Sequence, residues 1–592
     1  MAIGIIDVAT APSVPNLTRN LLNEAEVTDI REYYEIIDRR INDLECELRK
    51  LETSRNAPTS EHHGDLDQQI PDLQSEILTL KTRRNGATTT CRLPAEILSL
   101  IFLAFYSMSS KDLTQPVSER VDWLRCTFVC HRWREVALGC AELWTTPVFA
   151  EPALARTMLS RSGTSPLNIK FNGKSEAPSE VLYEALSQLD RLSYVELRGV
   201  SRGVADLQTV FSRWTNAQAP LLATLRLECP LDREDDFIEL PEGFLRGGTQ
   251  SLKRISLVRC KGAFTNTPIG SNIASLSITS LQAQPPTQAA FVHLLSQMPL
   301  LQQMRLTGGL PHEEVSPQNP VDLLKLEVLQ LSDTLENINV FFQLVHTPCA
   351  RIISLALLDY DDIEMLSSTL SKTSSSIATS SKDSPPGTQK AYQLSLTEGT
   401  TYLRLQVLSK PPASGLSTNS LSVAIALHED EPLPSLRFIQ PLDLSALVHL
   451  SLHSFSNMDR AEIRSAFGRL PNLKSITLGN ATLGECLEVL KLKGFLSGAA
   501  GWGITSTRHG RYFSWLKAIN FRWVDVGGQH EDKEAALNTL TETLKQRLIG
   551  PSSPGIKVTF DRCLNFHERD FEDIKRSVRG MKIRIAWNTV SP

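Results

Sequence analysis

The chain has 592 residues, of which 41% are hydrophobic, and its formal net charge is −5 at pH 7. This length exceeds what one compact core usually organises, so we expect several domains or a repeat array. The acidic balance provides no basic field of the kind that nucleic-acid-binding proteins concentrate on one face, so we expect no nucleic-acid partner.

The first residues lack the pattern of a secretion signal. The opening apolar run has no basic region before it and stops at Asp7, before a signal core could form. No later apolar run approaches the roughly eighteen residues that span a bilayer. Ten cysteines are scattered without a Cys-x-x-Cys pair, which is typical of reduced thiols. We therefore expect an intracellular protein, in the cytoplasm, the nucleus or both, with no membrane partner.

Residues 30–86 predict a helical hairpin or short coiled coil, after an expected disordered segment at 1–29. Apolar residues recur there with the four-three spacing of heptad positions. The two runs are Ile37, Ile41, Leu44, Leu48 and Leu51, then Leu66, Ile70, Leu73, Ile77 and Leu80. Pro71 either interrupts the second helix or marks its true start. Such short runs favour a hairpin over a weak homodimer, which stays an alternative.

Residues 91–146 predict two short amphipathic helices joined by a long loop. Pro94 suits a first helical turn because an N–H would have no partner there. The apolar stripes that follow are Leu93, Ile97, Leu98, Ile101, Phe102 and Phe105, then Leu124, Phe128, Val129, Trp133, Val136 and Ala137. Their spacing is helical. From periodicity alone, the two stripes could simply pack on each other inside an ordinary helical domain.

These two halves together resemble an F-box. The resemblance is carried by Leu-Pro-x-Glu-Ile-Leu at 93–98, Val-Cys-x-x-Trp-Arg at 129–134 and Leu-Trp at 143–144. The connection at 106–123 is longer than in that family, but a loop insertion costs little entropy. The family docks on a Skp-type adaptor and through it on a cullin scaffold. The adaptor contacts that the resemblance implies are Leu93, Pro94, Ile97, Leu98, Ile101, Phe102, Val129 and Trp133.

A repeated phrase, Leu-x-x-Leu-x-Leu with apolar variants, fills residues 165–524. Its copies begin at Leu192, Leu222, Leu252, Ile273, Leu301, Leu326, Ile352, Leu447, Leu473 and Leu516. In each copy the last two apolar residues are expected on a short strand that faces a shared core, and the residue between them faces outward. Helical patterns lie between copies, so we predict an α/β fold rather than a compact doubly wound sheet.

This array resembles degenerate leucine-rich repeats, and the resemblance implies an α/β solenoid with a concave binding face. The candidate substrate contacts on that face are Glu196, Arg226, Arg305 and Gln330. We expect a flexible insertion near 367–390, because the segment is rich in Ser and poor in apolar residues. Residues 391–435 predict short strands that are irregular repeats or a local insertion. A helix at 535–548 and a strand at 556–560 predict a C-terminal cap over 525–592.

No phosphate loop, paired-carboxylate site, nucleophile elbow or metal-ligand quartet stands out in the sequence. We therefore expect a protein that is not an enzyme and needs no cofactor or metal. The F-box resemblance implies a substrate receptor that links an unknown target protein to an SCF-type ubiquitin ligase. The order of hairpin, F-box and repeats is similar to F-box proteins of mushroom-forming fungi. The alternative is a repeat scaffold that binds proteins without any ligase role.

Overall fold

The computed structural model describes residues 30–55, 63–109, 113–174, 176–199, 205–229, 237–280, 285–312, 320–359, 362–376, 390–409, 419–427, 433–491, 512–527, 533–547 and 555–588. The segment 1–29, for which the sequence predicts disorder, lies outside these residues. The chain divides into two compact units, residues 1–170 and 171–592. Each unit is described by itself.

The described residues of the first unit start with an antiparallel pair of helices, α1 (Ile30–Arg55) and α2 (His63–Gly86). The side chains at their seam come from both predicted heptad runs: Ile37, Ile41, Leu44, Ile77 and Leu80. Ion pairs such as Lys81 Nζ to Glu45 Oε1 at 2.7 Å join the helices at the rim. Surface pairs of this kind contribute only about 0–1 kcal/mol each, so the apolar seam dominates. Pro71 lies inside α2 and does not mark its start.

A compact helical module follows. It contains α3 (Ala95–Met108), α4 (Val117–Arg120), α5 (His131–Gly139) and α6 (Pro152–Arg161), with 3-10 turns at Asp122–Phe128 and Ala141–Trp144. Pro94 is the N-cap of α3, one residue before the predicted first turn. Two tryptophans organise the core, with the Trp123 and Trp144 rings 5.1 Å apart. The Trp144 indole donates to the carbonyl of Ala137 at 2.9 Å, so its one polar atom is satisfied.

The second unit is built on one long sheet. Its strands, with those of two small sheets, are β1 (Leu167–Asn172), β2 (Leu192–Arg198), β3 (Thr224–Glu228), β4 (Ile238–Glu239), β5 (Arg254–Val258), β6 (Cys260–Lys261), β7 (Ser275–Thr279), β8 (Gln303–Thr307), β9 (Val321–Asp322), β10 (Val328–Asp333), β11 (Val345–His346), β12 (Ile352–Leu357), β13 (Gln393–Glu398), β14 (Tyr402–Leu408), β15 (Ser420–Ala426), β16 (His449–His453), β17 (Ser475–Gly479), β18 (Ala518–Arg522), β19 (Ile556–Asp561) and β20 (Ile583–Asn588). The unit boundary falls inside β1. Pairs β4–β6 and β9–β11 stand apart from the main sheet.

Helices and turns connect many successive strands, as the sequence predicts for an α/β fold. They are α7 (Glu180–Ser187), α8 (Ala205–Arg213), α9 (Gln288–Ser296), α10 (Leu335–Leu344), α11 (Ile363–Ser376), α12 (Arg460–Phe467), α13 (Leu483–Val489), α14 (Lys533–Arg547) and α15 (Glu568–Ser577). In the described residues the main sheet has the order β1-β2-β3-β5-β7-β8-β10-β12-β15-β14-β13-β16-β17-β18-β19-β20. Consecutive strands of the repeated phrase are parallel.

The repeated phrase produces the sheet because its copies align residue by residue. Leu225 pairs with Ile255, which pairs with Leu276, and the alignment continues to Met304 and Leu329. These side chains are buried, and the residues between them lie on the opposite face, called here the outer face. The predicted strand faces are therefore confirmed for these copies. Alternation with a period of two specifies the register, because a slip by one residue would expose the whole core face.

One copy of the phrase was assigned to the wrong register. Leu329 and Leu331 pair with Ile353 and Leu355, so that copy begins at Ala350 and not at Ile352. Ile352 is 41% exposed, whereas Ala350 is buried. The start was displaced by two residues because Ile353, Leu355 and Leu357 are all apolar and all buried, so two starting points fit the same phrase. The predicted core face of Leu355 and Leu357 is confirmed.

The described strands within residues 391–435 form a local insertion in the sheet. Strands β13, β14 and β15 are a meander in which β14 is antiparallel to both neighbours. The three strands stand in the sheet in the reverse of their chain order. The last of them, β15, pairs in parallel with β12, and the first, β13, pairs in parallel with β16. The repeat on one side of the insertion therefore joins the repeat on the other side through three extra strands.

Two predicted segment boundaries differ from the structure. Helix α11 ends at Ser376, so the start of the predicted flexible insertion near 367–390 is helical, and residues 377–389 lie outside the described part. The sheet also continues past residue 524, because β19 and β20 extend it in parallel from β18. The segment 525–592, predicted as a cap, thus contains two further helix-and-strand units of the sheet. The strand predicted at 556–560 is β19, and β20 follows it at the edge of the sheet.

Candidate functional site

Helix α3 presents large apolar side chains to solvent. Ile97, Leu100 and Ile101 are 42%, 62% and 43% exposed. Their spacing of three and four residues places them on one face of the helix. An exposed apolar cluster of this kind is typical of a protein-docking surface rather than of an ordinary monomer surface. Ile97 and Ile101 are among the contact residues predicted from the sequence, and Leu100 is an exposed neighbour that was not predicted.

Two of the predicted adaptor contacts are core residues. Leu98 and Phe102 are buried among Trp123, Trp144 and their neighbours, and the Phe102 ring lies 5.1 Å from the ring of Trp133. Their assignment to the contact surface is therefore corrected to the core. Helix α3 is apolar on nearly all sides, so its sequence does not show which side faces inward.

A second exposed apolar group precedes α5. Phe128 is 69% exposed and Val129 is 56% exposed, while Trp133 is half-buried. Cys130 has extended backbone and its Sγ accepts a hydrogen bond from the backbone N–H of Trp133 at 3.5 Å, so it caps the helix. A capping residue with non-helical backbone turns the preceding chain away from the helix axis. Phe128, the last residue of the 3-10 turn, and Val129 therefore lie outside α5.

Contacts between the two helix starts bring the two apolar groups together. Arg132 Nη2 donates to the carbonyl of Leu93 at 2.7 Å. The sulfur atoms of Cys91 and Cys130 are 3.5 Å apart. Burial, with the neighbouring Cys91 as a smaller cause, raises the pKa of the Cys130 thiol, which therefore stays protonated at neutral pH. The residues Leu93, Pro94, Ile97, Leu100, Ile101, Phe128 and Val129 are called the apolar docking face below.

The predicted substrate contact Glu196 is not available on the outer face of the sheet, because it is only 3% exposed. Its Oε2 accepts from Tyr194 Oη at 2.8 Å, and its Oε1 accepts from Arg198 Nε at 2.8 Å and faces Arg226 Nη1 at 3.4 Å. Burial alone would raise the pKa of Glu196, but the hydrogen bonds from Tyr194 and Arg198 and the two guanidinium charges lower it overall. The role of Glu196 is therefore to hold the two arginines.

The other predicted contacts lie on the outer face. Arg226 is partly exposed, and Arg305 hydrogen-bonds to Gln330 on the neighbouring strand. Between these two groups the outer face carries Ser256 and Ser277. The structure thus places the predicted residues in two separate groups rather than in one site.

Within the described residues, no group of three His, Cys, Asp or Glu side chains could hold a metal ion. Over the same residues, no helix combines the length and apolar character needed to cross a membrane.

Comparison with known families agrees with the geometry of the helical module. Residues 90–150 match the family model described as F-box-like, so an F-box-like domain occupies this part of the chain. The match includes the whole apolar docking face. No curated protein is similar enough in sequence to count as a relative.

Among solved structures, the chain is similar to an internalin from Listeria monocytogenes. The similarity covers 65% of this chain and 89% of that chain, with 10% sequence identity and a TM-score of 0.18. A likeness at this level carries no functional information.

Proposed function

We propose that this protein is an F-box substrate receptor, which links a target protein to an SCF-type cullin-RING ubiquitin ligase through a Skp-type adaptor. The observation that carries the proposal is the coincidence of the F-box-like match at residues 90–150 with an exposed apolar face. Burial of such a face against a partner is favourable by about 25 cal/mol per Å² of apolar area. Leu93, Pro94, Ile97, Ile101, Val129 and the half-buried Trp133, joined by Leu100 and Phe128, are the proposed adaptor contacts.

In this proposal the second unit receives the substrate. Its parallel strands in register support a leucine-rich-repeat-like solenoid, a fold whose outer strand residues commonly contact protein partners. The proposed division is a helical brace at 30–86, an F-box at 91–146, a degenerate array from 165, and a cap within 525–592. The protein would act inside the cell, and the resemblance to F-box proteins of mushroom-forming fungi belongs to the same proposal.

A repeat scaffold without a ligase role is the second candidate, because the long sheet alone would suffice to bind a protein. The experiment that separates the two is reconstitution of ubiquitin transfer with adaptor, cullin, RING partner and a target captured by the full chain. Deletion of residues 93–144 should leave target binding intact and abolish transfer. Equal ubiquitin transfer with and without this segment would overturn the receptor proposal in favour of the scaffold.

A further inference from the structure

The C-terminal end of the sheet carries a concentration of positive charge. Five exposed cationic residues lie at the beginning of strands β17 to β20: Lys474, Lys517, Lys557, Lys582 and Arg584. They are called the basic patch below. None of the five forms a salt bridge with a carboxylate in the described parts of the chain. The protein as a whole is acidic, so this local excess of positive charge opposes the overall charge.

Backbone hydrogen bonds hold the basic patch together. The N–H of Lys517 donates to the carbonyl of Lys474 at 2.7 Å, and the N–H of Lys557 donates to the carbonyl of Lys517 at 2.8 Å. Lys557 pairs directly with Arg584 on the next strand. Neighbouring strands are about 4.8 Å apart, so Lys557 and Arg584 are the two like charges that face each other directly. Like charges that face each other on adjacent strands are destabilising, and a bound anion would relieve the repulsion.

Elsewhere on the outer face the cations are paired or stand in smaller groups, such as the exposed Lys253 and Arg254 at the start of β5. At the opposite end, Arg198 contacts both Glu196 and Glu228, and Arg226 also faces Glu196. Two arginines there meet two glutamates, so these four charges offset one another. Lys474 lies close to His449 on the neighbouring strand, and the pKa of His449 is lowered mainly by burial and further by the charge of Lys474.

The side chains around the basic patch indicate which kind of anion it fits. On β17 to β20 the outer face carries small or polar residues such as Thr477, Ala518, Asn520 and Thr559, and none of the described residues on this face of these strands is aromatic. Single-stranded nucleic acids are normally bound by aromatic side chains on which the bases stack. An extended peptide needs only the charges and a flat polar surface. The exposed Trp515 and Trp523 lie before and after β18, so the strand residues themselves offer no stacking platform. The chemistry of these strands therefore favours an acidic peptide segment over a nucleic acid.

We propose that the basic patch is a docking site for an acidic peptide segment of the substrate protein. The patch crosses four strands, a distance of about 14 Å, which an extended segment of four to five residues would span. The proposal rests on the proposed receptor function, since it assigns the chemistry of the substrate that the second unit receives. Carboxylates and phosphate groups share the required anionic chemistry.

The test uses the purified full chain with its adaptor and a fluorescein-labelled peptide of repeating Gly-Glu-Ser units, with binding followed by fluorescence anisotropy. A second peptide replaces every Glu with Gln, and a third carries Gln together with phosphorylated serines. The Glu peptide should bind and the unphosphorylated Gln peptide should not, and added salt should weaken the binding. Tighter binding of the phosphorylated peptide than of the Glu peptide would support the proposal with phosphate as the anion.

The test variant is the double substitution Lys517→Gln with Lys557→Gln. The control variant is Lys253→Gln with Arg254→Gln. The second pair is exposed at the corresponding positions of β5 in the same sheet. The first pair should weaken binding about five- to tenfold because it removes two charge contacts, whereas the second pair should leave it unchanged. Equal binding of the unphosphorylated Gln peptide, an equal loss in both variants, or tighter binding of an oligo-dT strand would overturn the proposal.

Adaptor co-elution is scored separately in the same samples. Peptide binding without co-elution of the adaptor would contradict the receptor function and leave the docking site standing. Co-elution without any binding of the anionic peptides would contradict the docking site and leave the receptor function standing.

Discussion

The helical module and the long sheet present opposite chemistries to solvent. The exposed side of α3 carries Ile97, Leu100 and Ile101, whereas the outer face of the sheet carries mainly hydroxyl, small and charged residues. Exposed apolar area is unfavourable in water, so the helical surface gains free energy when a partner covers it. The polar outer face is compatible with water and gains most from specific charged contacts. Under the proposed function, the first surface is the one that binds the adaptor and the second is the one that selects the substrate.

The largest expected effect on the free energy of unfolding distinguishes the core face of the sheet from its outer face. Leu331 and Gln330 are neighbours on β10, but Leu331 is buried and Gln330 lies on the outer face beside Arg305. Leu331→Asp should lower the free energy of unfolding by about 4 kcal/mol or more, because it buries an unpaired carboxylate. Gln330→Asp should change it by about 0.5 kcal/mol at most. Urea denaturation of both variants measures this, and equal destabilisation would show that the strand faces are wrong.

The second effect sharpens the division of α3 into a core side and a contact side. Phe102→Ala should lower the stability of the helical module by about 3–5 kcal/mol, because it leaves a cavity beside Trp133. Leu100→Ala, on the exposed side, should change stability by about 0.5 kcal/mol at most. Thermal and urea unfolding followed by tryptophan fluorescence measure both. A destabilising Leu100→Ala together with a neutral Phe102→Ala would reverse the assignment of the two sides.

The third and smallest effect concerns charge on the outer face of the sheet. Glu196→Gln should cost about 1–3 kcal/mol at pH 7, since it removes the charge that pairs with Arg226 and weakens the hydrogen bond from Arg198. The matched change Glu228→Gln, at a half-exposed carboxylate 3.8 Å from Arg198, should cost about 0–1 kcal/mol. Urea midpoints at pH 7 compare the two variants, and equal costs would contradict the buried role of Glu196.

The same glutamate gives a pH dependence with a defined sign. The folded-state pKa of Glu196 is below its ordinary value, so the folded state favours the ionised form. Its contribution is present above the ordinary glutamate pKa of about 4.3 and is lost as the pH falls through the lower folded value. The stability gap between the native chain and Glu196→Gln should therefore narrow below that pH, and a gap that widens in acid would contradict this sign.

The sequence predicted the strands better than it predicted the helix faces, for a physical reason. In a strand, alternation with a period of two assigns each residue to one of two faces. In α3, residues 97, 98, 100, 101 and 102 are all apolar, so only tertiary contacts decide that Leu98 and Phe102 face the core. The burial of Glu196 likewise depends on Arg226, which comes beside it only through the pairing of β2 with β3.

The order of the strands was the other feature that the sequence did not show. Parallel and antiparallel strands share the same alternation, so the pattern at 391–435 indicated strands without their direction. The reversed meander becomes apparent only from the pairing of β13 with β16 and of β15 with β12. The basic patch was also missed, because its members are far apart in sequence and become neighbours through the register of β17 to β20.

The most direct test of the account is the affinity of the full chain for a Skp-type adaptor. Ile97→Asp with Ile101→Asp places two charges on the apolar docking face, whereas Leu324→Asp places one at a residue of the second unit that is 60% exposed. The account predicts that the double variant, still folded by circular dichroism, loses about hundredfold or more in affinity because anchors of this kind dominate interfaces. Leu324→Asp should bind as the native chain does. Unchanged adaptor binding by the folded double variant would contradict the account.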